Sequence, residues 1–227
     1  MERAAEPSHD RGPASARTTV RRGAHRAIYD RDAILRIIDE ATVCHVGVST
    51  PEGPLVLPMS HGRDDDHLFL HGALASGVLL AAIEQGVCVT FTLLDGYVFA
   101  RSAYHNSVNY RSVVVRGPAE RLEGERKVHG LRRIADHLAA TWDVGRPPTD
   151  SEVRRTLVVA VPLAEASAKV RAGDPGDEEE DLDGPWWAGT VPVRLVRSSA
   201  VPAADLADGI DVPEAIVDLH EAQAEHG

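Results

Sequence analysis

The chain has 227 residues, 43% apolar and 26% charged, enough to bury one globular core with loose ends. A formal net charge of −11 argues against nucleic acid or an anionic membrane as partner. No apolar run approaches the roughly 20 residues of a bilayer span, and Met1-Glu2-Arg3-Ala4-Ala5-Glu6 lacks a signal-peptide core, so a cytoplasmic location is expected.

Residues 1–27 are rich in Pro, Ser, Ala, Gly and Arg without apolar periodicity, which predicts a disordered or loosely draped arm. Asp30 is placed to cap a short helix with Ile34, Ile37, Ile38 and Ala41 on one face. Strands follow at 43–48, 54–61 and 67–71, joined by Pro51-Glu52-Gly53 and the polar turn 63–66, a pattern that predicts a β-meander. Residues 75–85 read as a helix burying Leu79, Leu80 and Ile83 and closed by Gly86. A fourth strand spans 87–94, with a bulge or turn at Asp95-Gly96 and extended chain to Ala100; the fifth strand spans 111–121.

An amphipathic helix is expected over 123–140, with Val128, Leu131, Ala135 and Leu138 on its apolar stripe. Thr149-Asp150-Ser151-Glu152 is a capping box opening a short helix. Strands at 156–161 and 192–196 complete a core domain over 28–197, with a weakly amphipathic tail over 198–227. Mainly antiparallel strands with inserted helices predict an α+β protein built on a small, partly open barrel. Several strands, such as Leu55-Val56-Leu57 and Val113-Val114-Val115, are apolar on both faces, so one face needs cover from a helix or a second subunit.

The densest chemistry lies in Ala100-Arg101-Ser102-Ala103-Tyr104-His105-Asn106-Ser107-Val108-Asn109-Tyr110-Arg111-Ser112, between two apolar β-type runs. Guanidinium, hydroxyl and amide groups at this density match a phosphate-bearing planar ligand. Alternation puts Arg111 on the face of Val113 and Val115, where it either pairs with a carboxylate or holds an anion. The turn Leu70-His71-Gly72, leading to Ser76 and a helix start, is either an ordinary connection or an anion site. His71 is either structural or a proton relay. Lys169 and Arg171 project to one side of an extended piece, facing the acidic loop 174–183 or a cofactor. Trp186 and Trp187 either cap an apolar cleft or anchor the C-terminal layer, with core packing the expected outcome. Cys44 and Cys88 read as reduced core thiols, and no histidine stands in a metal-ligand pattern, so no metal site is expected.

Leu70-His71-Gly72, Asn109-Tyr110-Arg111-Ser112 and Ser167-Ala168-Lys169-Val170-Arg171 resemble the flavin-nucleotide-binding branch of the pyridoxamine 5'-phosphate oxidase-like superfamily, near the nitroimidazole-resistance proteins. The resemblance covers about 25–197 and implies an FMN-binding split β-barrel, an antiparallel Greek-key-like barrel with flanking helices. It further implies an FMN-dependent oxidoreductase acting on a small molecule, working as a homodimer. FMN phosphate would meet Gly72, Ser76, Arg101 and above all Arg111, with Asn109, Tyr110 and Ser112 alongside. Its ring would lie against Pro58, Met59 and Ser60, with Lys169 and Arg171 reaching the site and His71 as the catalytic residue. Gly77 stands where many relatives carry a basic residue, which puts one phosphate contact in doubt. The substrate-binding C-terminal motif of true pyridoxamine phosphate oxidases has no match over 200–227. Haem-associated split barrels also resemble this chain, and in that alternative His71 or His105 would be an axial ligand.

Overall fold

The computed structural model describes residues 12–221. Helix α1 (Arg31–Glu40) starts where Asp30 accepts a hydrogen bond from the Ala33 amide at 2.9 Å, and it buries Ile34, Ile37 and Ile38 as expected. Strands β2 (Cys44–Thr50) and β3 (Gly53–Met59) form a hairpin whose turn needs Gly53 at φ +120°. Period-two alternation holds on β2, with Cys44, Val46 and Val48 inward.

The expected meander ends there. After β4 (Gly62–Arg63), strand β5 (His67–Ala73) pairs with β4 and with β9 (Thr156–Pro162), not with β3. A four-stranded antiparallel sheet, β4-β5-β9-β8, therefore stands apart from the main sheet, with β8 (Glu120–Arg121) at its edge. The main sheet runs β1-β10-β7-β6-β2-β3, with β1 at Ala27–Ile28, β6 at Val87–Phe99, β7 at Ser107–Gly117 and β10 at Ala166–Arg171. The last strand, β11, pairs with the far end of β6 at Gly189–Pro192, three residues ahead of its expected start.

Both sheets feed one core. Val46, Val89, Phe91, Val113 and Val115 from the larger sheet meet Leu68, Leu70, Leu157, Val159 and Val161 from the smaller. This α+β fold is the split barrel that the resemblance implied. Strand β6 carries its bulge between Leu94 and Gly96, and β7 starts four residues earlier than expected because Ser107 already pairs with Val98.

The helices depart from expectation in their buried faces. Helix α2 (Gly77–Gln85) buries Val78, Leu79 and Ala82, while Leu80 is exposed and Ile83 only half-buried. Helix α3 (Gly124–Leu138) buries Lys127, Gly130 and Ile134 against the outer face of the small sheet, one position off the predicted stripe. Close approach fixes that choice: a Cβ on Gly130 would lie 3.0 Å from Val158, and one on Gly62 only 2.2 Å from the Arg133 carbonyl oxygen. Helix α4 (Asp150–Arg155) opens with the complete Thr149–Glu152 capping box, and α5 spans Glu214–Glu221.

Residues 1–11 of the expected disordered arm lie outside the described residues, but 12–27 are tied down. Arg17 pairs with Glu165, the Tyr29 hydroxyl accepts from the Val20 amide at 2.9 Å, and Thr18 is buried. Trp186 and Trp187 are not core anchors; they stand 58% and 67% exposed beside Phe99. Among the described residues no helix is long and apolar enough to cross a membrane.

Candidate functional site

On β5, Leu68 and Leu70 point into the barrel, so Phe69 and His71 point out toward α3 and α4. Phe69 is sealed beneath Ile134. His71, two residues on, instead faces a cavity of about 300 Å³. Leu131, Ala135 and Leu138 of α3 wall this cavity with Trp142, while Val153 and Thr156 close it from the α4 side. The stripe read from the sequence as core thus lines an apolar recess.

His71 is half-buried, and its one hydrogen-bond partner among the described residues is the Ser60 hydroxyl, 3.5 Å from Nε2. Burial pushes the imidazole's pKa down, so the ring is neutral near neutral pH and offers a nitrogen lone pair. A neutral imidazole in an apolar recess can ligate a metal centre or pass a proton.

The turn from β5 into α2 lies next to His71. A Cβ on Gly72 would come within 3.1 Å of Leu79 and 3.3 Å of Ser76, so close packing of the turn demands glycine. Ser76 occupies the N-cap of α2 without capping it. Its hydroxyl and the first amides of α2 are available to an anion.

The arginine-rich face is built differently. Arg111 is gripped by two carboxylates: Asp95 accepts from Nε at 3.0 Å and Nη2 at 2.7 Å, and Glu40 accepts from Nη1 and Nη2. This double pairing raises the guanidinium pKa further and is the salt-bridge alternative for that residue. Arg101 donates its backbone amide and Nη1 to Asp177 at 2.7 and 2.9 Å, and that carboxylate is 2% exposed. Arg171 donates to Asn109, Lys169 reaches the Arg22 carbonyl at 2.9 Å, and Ser112 donates to the Lys169 carbonyl at 3.2 Å.

The predicted site residues therefore fall into two groups. Ser60, His71, Gly72 and Ser76 gather at the end of β5; Met59, half-buried on the core, and exposed Pro58 precede them on β3. Arg101, Asn109, Tyr110, Arg111, Ser112, Lys169 and Arg171 lie along β7 and β10, and no hydrogen bond or ion pair among the described residues joins the two sets. His105 stands 3.9 Å from Glu178, outside the cavity. The cavity walls on α3 and Trp142 were missed; the 131, 135, 138 spacing was the available signal.

Residues 30–170 match the family model described as pyridoxamine 5'-phosphate oxidase, and the chain belongs to that family. The flavocytochrome Anf3 from Azotobacter vinelandii is 37% identical, with a TM-score of 0.88 over 92% of this chain and 98% of that one. The FAD and heme binding protein from Mycobacterium smegmatis is 28% identical, with a TM-score of 0.81 over 86% of this chain and 97% of that one. A 5-nitroimidazole antibiotic resistance protein from Bacteroides thetaiotaomicron is 32% identical, with a TM-score of 0.55 over 63% of this chain and 86% of that one. No functionally curated protein matches the chain.

Proposed function

We propose that the protein is a flavin-binding redox protein that also holds a haem in the His71 cavity. The observation that carries this reading is the neutral imidazole of His71, which among the described residues is held only by Ser60 at 3.5 Å and faces the α3 wall. The similarity to a flavocytochrome and to an FAD- and haem-binding protein supports both cofactors. His71 would ligate the iron, while Leu131, Ala135, Leu138 and Trp142 exclude water from the ring. Gly72, Ser76 and the first turn of α2 would take the flavin phosphate, with Pro58, Met59 and Ser60 flanking the ring system. When bound, the flavin exchanges one or two electrons and the haem exchanges one. Arg101 and Arg111 then act as clamps on the surrounding strands, held by Asp177, Asp95 and Glu40.

Purified protein should show flavin bands together with a Soret band. His71→Ala should remove the Soret band and keep the flavin bands; a Soret band that survives this substitution overturns the haem assignment. FMN, implied by the sequence, is distinguished from FAD by chromatography of the nucleotide released on denaturation.

The Ser76 hydroxyl beside Gly72, which does not cap α2, favours a second reading: an FMN-dependent oxidoreductase without haem, acting on a small molecule. It predicts flavin bands alone, bleached by a reduced nicotinamide nucleotide. In either reading we infer a homodimer, because Val56 and Tyr97 of the main sheet are 60% and 46% exposed, with Leu57, Leu94 and Phe99 also open. Val56→Glu should halve the mass measured by light scattering.

A further inference from the structure

The segment after β11 is the least covered stretch of the described chain. Between β11 and α5, residues 193–213 form no helix or strand. Val201 is 88% exposed there, and Val196, Leu206, Ile210 and Val212 are open as well. A single exposed apolar side chain needs no explanation, but five along one uncovered segment mark a docking surface. The same part of the chain is strongly acidic: residues 198–221 carry six carboxylates and no lysine or arginine. Asp205, Asp208 and Asp211 are exposed and form no ion pair or hydrogen bond among the described residues.

The N-terminal arm is the electrostatic opposite. Residues 12–27 carry four arginines and no carboxylate. Arg17 is taken by Glu165, but the guanidinium groups of Arg21, Arg22 and Arg26 have no partner among the described residues.

The main sheet sets these two segments apart on one face. On the face turned away from the core, Lys169 stands opposite Ser112 and reaches the Arg22 carbonyl, which ties the arm to the β1–β10 edge. On the same face Tyr97 stands between Val108 and Val191, and β11 leads from there into the acidic segment. Strands β6, β7 and β10 separate the two edges. Arm and tail therefore flank the exposed apolar band of the proposed homodimer.

Two such faces can pack about a two-fold axis in two ways. An axis across the strands sets tail against tail and arm against arm, like charge on like. An axis along the strands sets the tail of each protomer against the arm of the other, opposite charge on opposite.

We propose that the acidic C-terminal segment of each protomer docks on the basic N-terminal arm of a second copy, its apolar side chains covering the edge of the facing sheet. This rests on the homodimer reading and adds to it the axis and the contacts.

Charge reversal at exposed positions of the full-length protein tests it. Arg21→Glu with Arg22→Glu makes arm and tail both acidic; Asp205→Lys with Asp208→Lys and Asp211→Lys makes both basic. Each variant alone should dimerise about tenfold or more weakly in sedimentation equilibrium at low salt. The deficit should shrink at about 1 M salt, where charges are screened beyond about 3 Å. Mixed together, the two variants should form a heterodimer of near wild-type affinity, because each arm then meets a tail of opposite charge; native mass spectrometry resolves it from the homodimers. Dimer affinity unchanged by either reversal overturns the proposal and leaves the homodimer standing. Weakening that mixing fails to rescue also overturns it, because the tail would then pair with the arm of its own chain. A monomeric wild type overturns the homodimer reading itself, and this inference with it.

Discussion

The β7–β10 face and the end of β5 differ in how their polar groups are satisfied. On and beside β7 and β10 the arginines and lysine predicted to meet the cofactor have internal partners: Arg111 has Asp95 and Glu40, Lys169 has a backbone carbonyl, and Arg101 has Asp177, although its Nε is buried without a partner among the described residues. At the end of β5, among the described residues, His71 has one long hydrogen-bond contact and the Ser76 hydroxyl has none. Satisfied groups stiffen a fold, whereas unsatisfied ones wait for a ligand. On the proposed reading the chemically denser region is the scaffold, and the sparser one carries the site.

The harshest way to break this contrast is to dislodge the helix that walls the cavity. Gly62→Ala would put a methyl group 2.2 Å from the Arg133 carbonyl oxygen, against backbone that has no rotamer to move. We expect a loss of about 3 kcal/mol, or about 9 °C in melting temperature, and, on the proposed reading, weaker haem retention. Unchanged melting would mean that α3 is not seated on β4.

Acid should act on the same helix. His61 is fully buried, donates from Nε2 to the Ile38 carbonyl at 3.1 Å, and stacks 4.2 Å from His137, which donates to the Ala41 carbonyl. Burial, followed by the His137 charge, lowers the His61 pKa from 6.5 to about 4; the hydrogen bond to the Ile38 carbonyl and then Asp39 oppose this weakly. Between those values the unfolded chain binds a proton that the native state refuses. The contribution is complete above pH 6.5 and is lost as pH falls toward 4, to a total of about 3 kcal/mol. Chemical denaturation of wild type and His61→Leu across this window checks it: the variant should show the flatter pH slope.

A sharper comparison comes from Arg111→Ala. Removing the guanidinium strands Asp95 and Glu40 together, at a cost of about 1–2 kcal/mol after discounting for the exposure of Glu40. Melting should drop while flavin affinity measured by fluorescence titration stays unchanged. Lost flavin affinity with intact melting would return Arg111 to the cofactor site.

Local signals were legible in the sequence: the Asp30 cap, the Pro51-Glu52-Gly53 hairpin, the bulge at Asp95-Gly96 and the capping box at Thr149 all formed as read. Each depends on neighbours a few residues away. The switch of β5 to a second sheet did not show, because its partner β9 comes some 90 residues later. Arg111 faced the choice between carboxylate and anion for the same reason: its partners lie 16 and 71 residues away. Apolar periodicity at Leu131, Ala135 and Leu138 revealed a helical face but not what that face meets. Trp186 and Trp187 misled through hydrophobicity alone, which says little about exposure for one residue.

The gentlest test concerns α4, six residues long and held at its start by the capping box. Thr149 Oγ1 accepts from the Glu152 amide at 3.3 Å, and Glu152 accepts in return from the Thr149 amide at 2.7 Å. Arg146 and Thr149 together hold the Glu152 carboxyl down to about 2, so the cap is charged at any ordinary pH. Thr149→Ala should fray the helix and lower melting by about 3 °C. Because α4 brings Glu152 and Val153 to the wall of the His71 cavity, ligand should leave it faster, whereas the exposed Ser151→Ala should leave the rate unchanged. Unchanged release would show that the His71 cavity does not depend on α4 for its shape.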